Sequence, residues 1–101
     1  MHIHFVRTGG FAGLRMSAEI DSDELSKEEL ENLREALDSA HFFNLPRQMM
    51  GDMKAVDRFQ YEITVEDGSR QHTVLASDAA LPEQVQPLVK QLERLARTHH
   101  K

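Results

Sequence analysis

Three glycines, Gly9, Gly10 and Gly13, fall within the stretch FVRTGGFAG, and one large aromatic, Phe11, sits among them. Such a cluster supports three kinds of chemistry: a backbone cradle for phosphate, a tight turn, or a loop that meets another molecule at close range. A dinucleotide fingerprint needs G-x-G-x-x-G between a strand and a helix, and a Walker loop needs Gly-Lys-Ser/Thr opening a helix. Neither pattern is present, and the glycines lead into a second strand, so no helix N-terminus stands behind them to hold a phosphate. Turn and recognition loop both stay open, because a plain turn has no need of Phe11.

The remaining reactive side chains do not assemble into a reaction. Six histidines invite a metal reading, and His2 and His4 share one side of a strand, yet no third ligand is tied to them by spacing. His99 and His100 belong to the tail, His41 follows a helix end where a cation suits the dipole, and His72 on a strand is expected to face solvent or a polar neighbour. No metal site and no cofactor are therefore assigned. Cysteine is absent, no G-x-S-x-G elbow occurs, and the serines occupy caps, strand faces and turns. The acidic run EELENLREALD reads as the wet face of a helix. Met49, Met50 and Met53 either cover the edge of the core or form a soft contact patch. No catalytic residue is assigned, and the chain is read as a non-enzyme.

Composition sets the frame for these residues. A chain of 101 residues fits one domain, with roughly 60 to 65% of its unfolded surface buried on folding. Residues 1–97 are assigned to that domain and 98–101 to a frayed tail. Seventeen acidic against 12 basic side chains give a formal charge of -5, which disfavours phosphate backbones as partners. The start MHIHFVRTGG alternates like a strand instead of carrying the apolar run of a signal peptide, and no apolar run is long enough to span a membrane. The expectation is a soluble, cytoplasmic domain with no nucleic-acid or membrane partner, unconventional export remaining open.

The elements follow from the periods. Ile3 and Phe5 alternate with His2 and His4 in a first strand, and Leu14, Met16, Ala18 and Ile20 alternate with Arg15, Ser17 and Glu19 in a second. Ser26 and Glu29 form a capping box ahead of a helix whose Leu30, Leu33, Leu37 and Ala40 make one stripe. Pro46 ends it at or before FFNL, and PRQMMGDMKAV shows no period and reads as a loop. Phe59, Tyr61, Ile63 and Val65 face inward in a third strand, Asp67 and Gly68 mark a hairpin, and SRQHTVLA supplies a fourth strand. After the connector SDAAL, Val85, Leu88, Val89, Leu92, Leu95 and Ala96 recur at helical spacing behind Pro82. The expected fold is α+β, order ββαββα, with a four-stranded antiparallel sheet and both helices on one face.

FVRTGGFAG near the N-terminus, FFNLP after the first helix, DRFQYEITVEDG followed by HTV, and LPEQV opening the last helix resemble the emfourin family over residues 3–96. That family comprises small bacterial protein inhibitors of thermolysin-like zinc metalloproteases, the type member pairing with protealysin. The resemblance implies a non-catalytic domain that binds such a protease and occludes its active-site cleft. Following the strands up and down, with the first helix taken to return upward, brings the turn at 8–10, the start of 44–57 and the connector 77–81 to one end of the sheet. The expected protease-contacting residues are accordingly Thr8, Gly9, Gly10, Phe11, Ala12, Gly13, Met49, Met50 and Asp78. Phe11 either packs on the sheet edge or fills an apolar pocket of the kind that the resemblance implies. The free domain is expected to be a monomer. Substrate-like binding, zinc ligation through the N-terminal amine, His2 or His4, and steric blockage all stay open as modes. The alternatives are a small-molecule-binding domain or small enzyme using the helix–sheet crevice, where Tyr61 is almost the only polar candidate, and an interaction module for an unrelated protein.

Overall fold

In the computed structural model, residues 1–9, 15–49 and 59–98 are described. Expectations that fall on 10–14, 50–58 and 99–101, including the first half of the second strand and the end of the frayed tail, lie outside them. Alternating residues pair His2–Gly9 (β1) with Met16–Asp21 (β2), Ile3 opposite Ile20 and Phe5 opposite Ala18. Strand Phe59–Asp67 (β4) lies against the other side of β1, Phe5 opposite Ile63, and continues into Arg70–Ser77 (β5). The β4–β5 turn is two residues long, with Gly68 at φ 64. Only the first of its two central residues has positive φ, the arrangement in which the turn's twist matches that of the strands and glycine is required.

Helix α1, Lys27–Ala40, begins with the reciprocal cap that Ser26 and Glu29 predict: the Glu29 N–H donates to the Ser26 hydroxyl at 3.1 Å and the Ser26 N–H to the Glu29 carboxylate at 2.9 Å. His41 ends it in the left-handed region at φ 51, its N–H donating to the carbonyls of Leu37 and Asp38. Helix α2, Gln86–Thr98, buries Leu88, Val89, Leu92, Leu95 and Ala96, with Val85 buried in the short turn before it. These residues join Leu33, Leu37 and Ala40 of α1 and the inward face of the sheet in one core. Phe5, Ile63 and Leu92 are essentially inaccessible, each worth about 1.5 to 3 kcal/mol of burial.

Three expectations are corrected. The sheet has five strands, in the order β2-β1-β4-β5-β3, and it is mixed, because Gln48–Met49 (β3) runs parallel to β5. The free edge of β5 carries N–H and C=O groups that need partners, and the chain after Pro46 supplies them: the Leu75 N–H donates to the Arg47 carbonyl at 2.7 Å. A two-residue strand is too short for any period to show. The second correction concerns direction. α1 starts on the β2 side and its exit, Phe42–Asn44, lies by the Gly68 hairpin, lining a cleft of about 250 Å³ with Met1, Asp67 and Arg70. The helix crosses the strands instead of returning to the Gly9 end. Buried Phe42 and a contact of 2.7 Å between His72 Nε2 and the Leu45 carbonyl pin that exit. His72 thus faces a backbone carbonyl and the Phe42 ring, 5.6 Å away, where solvent or a polar side chain was expected.

Candidate functional site

Strand register brings several of the sequence-derived residues to one end of the sheet. Thr8 lies opposite Gln60, Gly9 opposite Phe59, Gln60 opposite Ser77, and Met49 opposite Ala76. The chain leaves the described sheet at Gly9 and returns at Met16, leaves again at Met49 and returns at Phe59, and leaves a third time after Ser77, where Asp78 opens a 3-10 turn. Thr8, Gly9, Met49 and Asp78 therefore share this end, although β3 delivers Met49 there by climbing along β5 and not by the route expected from α1. Gly10, Phe11, Ala12, Gly13 and Met50 lie outside the described residues. Gly9 sits at φ 99, where a side chain would be strained, so at least one glycine of the cluster is required by backbone geometry. Met49 is half-buried against the core.

Beneath this end lies a polar and aromatic network. Arg7 on β1 forms an ion pair with Glu93 on α2, both side chains about one-fifth exposed. The Arg7 guanidinium also stands 4.5 Å over the Phe59 ring, a cation–π geometry that ties the departure point of one connection to the return point of the other. Phe59 packs against Tyr61 at 6.5 Å between ring centroids, and Tyr61 stacks with Phe5 at 6.2 Å. The Tyr61 hydroxyl donates to the Asp78 carboxylate. Burial pushes the Tyr61 pKa up from 10.0 to about 12, helped by the negative charges of Asp78 and Glu93 and opposed by Arg7.

That environment decides what the crevice can do. An open concavity of about 340 Å³ runs between Tyr61, Asp78, Leu81, Val89, Lys90 and Glu93. Its one phenol stays protonated at neutral pH and is already committed to Asp78, which makes it a structural donor and a poor base. Among the described residues no group of three His, Cys, Asp or Glu side chains is arranged to hold a metal ion. His4 Nδ1 is 3.7 Å from a Glu19 carboxylate oxygen, an exposed pair on the outer face. Among the described residues, no helix is long and apolar enough to cross a membrane.

Sequence reasoning missed Arg7, Phe59 and Glu93 as supports of this end. Arg7 and Glu93 are 86 residues apart, and nothing local to either strand or helix signals their meeting. Tyr61 did carry a signal, as a lone hydroxyl in an otherwise apolar alternation.

These observations define an α+β domain in which a helix-backed sheet holds the ends of three connections together over a braced base. The Emfourin family model matches residues 5–93, and the chain belongs to the Emfourin family. That membership suggests a protease-inhibitor role. Comparisons with curated proteins and with solved structures return no match.

Proposed function

We propose that this protein inhibits thermolysin-like zinc metalloproteases, by inserting the connections at the Gly9 end into the active-site cleft. The observation that carries the reading is the convergence of Thr8, Gly9, Met49 and Asp78 at one end of a rigid sheet, in a chain of the Emfourin family. In this reading the glycines let the 8–13 backbone approach the enzyme closely, and Phe11 is the anchor that fills an apolar pocket beside the zinc. The bracing of the loop bases by Arg7, Phe59 and Glu93 lowers the entropy lost on association, because little of the scaffold remains to be ordered. The protease supplies the metal and all of the chemistry, and the inhibitor occupies the place of substrate.

Inhibition constants and melting temperatures measured together for three variants test the reading. Phe11→Ala is expected to weaken inhibition by roughly 1 to 4 kcal/mol, about fivefold to about 900-fold, with little loss of stability. Gly10→Val is expected to harm inhibition more than stability, and Glu31→Ala, on the exposed face of α1, to change neither. Should Phe11→Ala and Gly10→Val leave inhibition unchanged in folded protein, the first hairpin is not the recognition element.

A further inference from the structure

The outer edge of the sheet carries an interaction surface distinct from the loop end. β2 is the terminal strand of the order β2-β1-β4-β5-β3, and among the described residues nothing pairs with its free side. Proteins shield such edges with proline, a bulge, an inward-pointing charge, outward-facing charges or a covering element. β2 uses none of the first three: its six residues, MSAEID, pair in unbroken register with β1 from Met16 opposite Arg7 to Asp21 opposite His2, and its inward residues Ala18 and Ile20 are apolar and buried. Its charges, Glu19 and Asp21, lie on the outward side of the alternation, and Arg15 stands immediately before the strand.

Those charges are complementary to themselves in one arrangement. When two copies of β2 run antiparallel with Ala18 opposite Ala18, Ser17 faces Glu19, Met16 faces Ile20, and Arg15 faces Asp21, each pair occurring twice. Shifting the centre to Glu19 puts two carboxylates directly opposite each other, and a parallel pairing stacks Glu19 on Glu19 and Asp21 on Asp21. A centre at Ser17 keeps an Arg15–Glu19 pair but leaves Ile20 and Asp21 beyond the other copy's strand. The groups concerned are available: Arg15 is exposed and makes no ion pair with any described residue. The Glu19 side chain is 63% exposed, with one carboxylate oxygen 3.7 Å from His4 Nδ1. Asp21 uses one carboxylate oxygen for the Asp23 N–H at 3.0 Å.

We infer that two copies of this chain associate through β2, edge to edge and antiparallel about Ala18, extending the two sheets into one. The interface is small and its ion pairs are exposed, so the dimer is weak and concentration-dependent. It adds a weak dimer to the monomer expected from the sequence, and it stands apart from the inhibitory reading, since the β2 edge is not the loop end.

Sedimentation equilibrium on the full chain, from low to several hundred micromolar, tests it with Arg15→Asp and Asp21→Arg. The native chain is expected to show a monomer–dimer equilibrium, and each variant alone to weaken it about tenfold or more, because every Arg15–Asp21 pair becomes a like-charge pair. An equimolar mixture of the two variants is expected to restore association: the reversed charge at position 15 of one copy meets the reversed charge at position 21 of the other, and the native Arg15 and Asp21 still face each other. Circular dichroism on each sample guards against a folding defect from losing the Asp21 bond to Asp23, and the mixture provides a gain of signal that misfolding cannot produce. A native chain that stays monomeric throughout overturns the inference. So does a dimer indifferent to both variants, or a mixture that associates no better than its components.

Discussion

Raising the pH against the chain's single tyrosine interrogates the base of the loop end directly, because one Tyr and no Trp leave Tyr61 alone to report as tyrosinate. Its side chain is 5% exposed, and burial, Asp78 and Glu93 together lift its pKa from 10.0 to about 12. The folded pKa thus lies above the unfolded one. Below pH about 10 both states keep the proton and the fold is undisturbed. As pH rises from about 10 to about 12 the unfolded chain ionises first, and stability falls by up to about 1.4 kcal/mol per pH unit, roughly 2 to 3 kcal/mol in all. The assay is the ultraviolet absorbance of tyrosinate followed against pH, with circular dichroism on the same samples to confirm the native fold. A midpoint near 12 is expected. Asp78→Asn, which removes a neighbouring negative charge, is expected to lower the midpoint while leaving it above the ordinary value, since burial is the larger cause. A midpoint near 10 in a chain whose circular dichroism is still native would refute the reasoning, as would a midpoint indifferent to Asp78→Asn.

Removing Glu93 as Glu93→Ala leaves the Arg7 charge largely buried over the Phe59 ring and is expected to cost about 1 to 3 kcal/mol, between an exposed and a fully buried pair. A double-mutant cycle with Arg7→Met, read by denaturant melts, is expected to return a coupling above about 0.5 kcal/mol, and additive effects would dissolve the pair. Folding is expected to be independent of metal, so melting temperatures with and without a strong chelator should agree, and a drop of several degrees would reveal a ligand set that His2 and His4 do not disclose.

What could be read from the chain follows from how local each signal is. The capping box at Ser26 and Glu29, the alternation from Phe59 to Val65 and the helical recurrence from Val85 to Ala96 are each written within one contiguous stretch of chain, and each forms as its spacing requires. The path of α1 is not local: it depends on His41 taking a left-handed conformation and on His72 meeting the Leu45 carbonyl from 27 residues away. β3 is a two-residue strand created by the needs of β5's edge, and no alternation can announce it. The same division runs through the site. Glycine at Gly9 signals its own positive φ, and Tyr61 stands out among apolar neighbours. The Arg7–Glu93 pair that braces them is a product of packing β1 against α2.

The most direct measurement of the central claim is titration of a thermolysin-like protease of known active-site concentration with the purified chain, followed by residual peptidase activity. A linear fall to near-complete inhibition at about one inhibitor per enzyme is expected, with peptide substrate at saturating concentration slowing its onset. Full activity at a large molar excess of folded protein, or partial inhibition that saturating substrate does not slow, would contradict a chain that occupies the cleft.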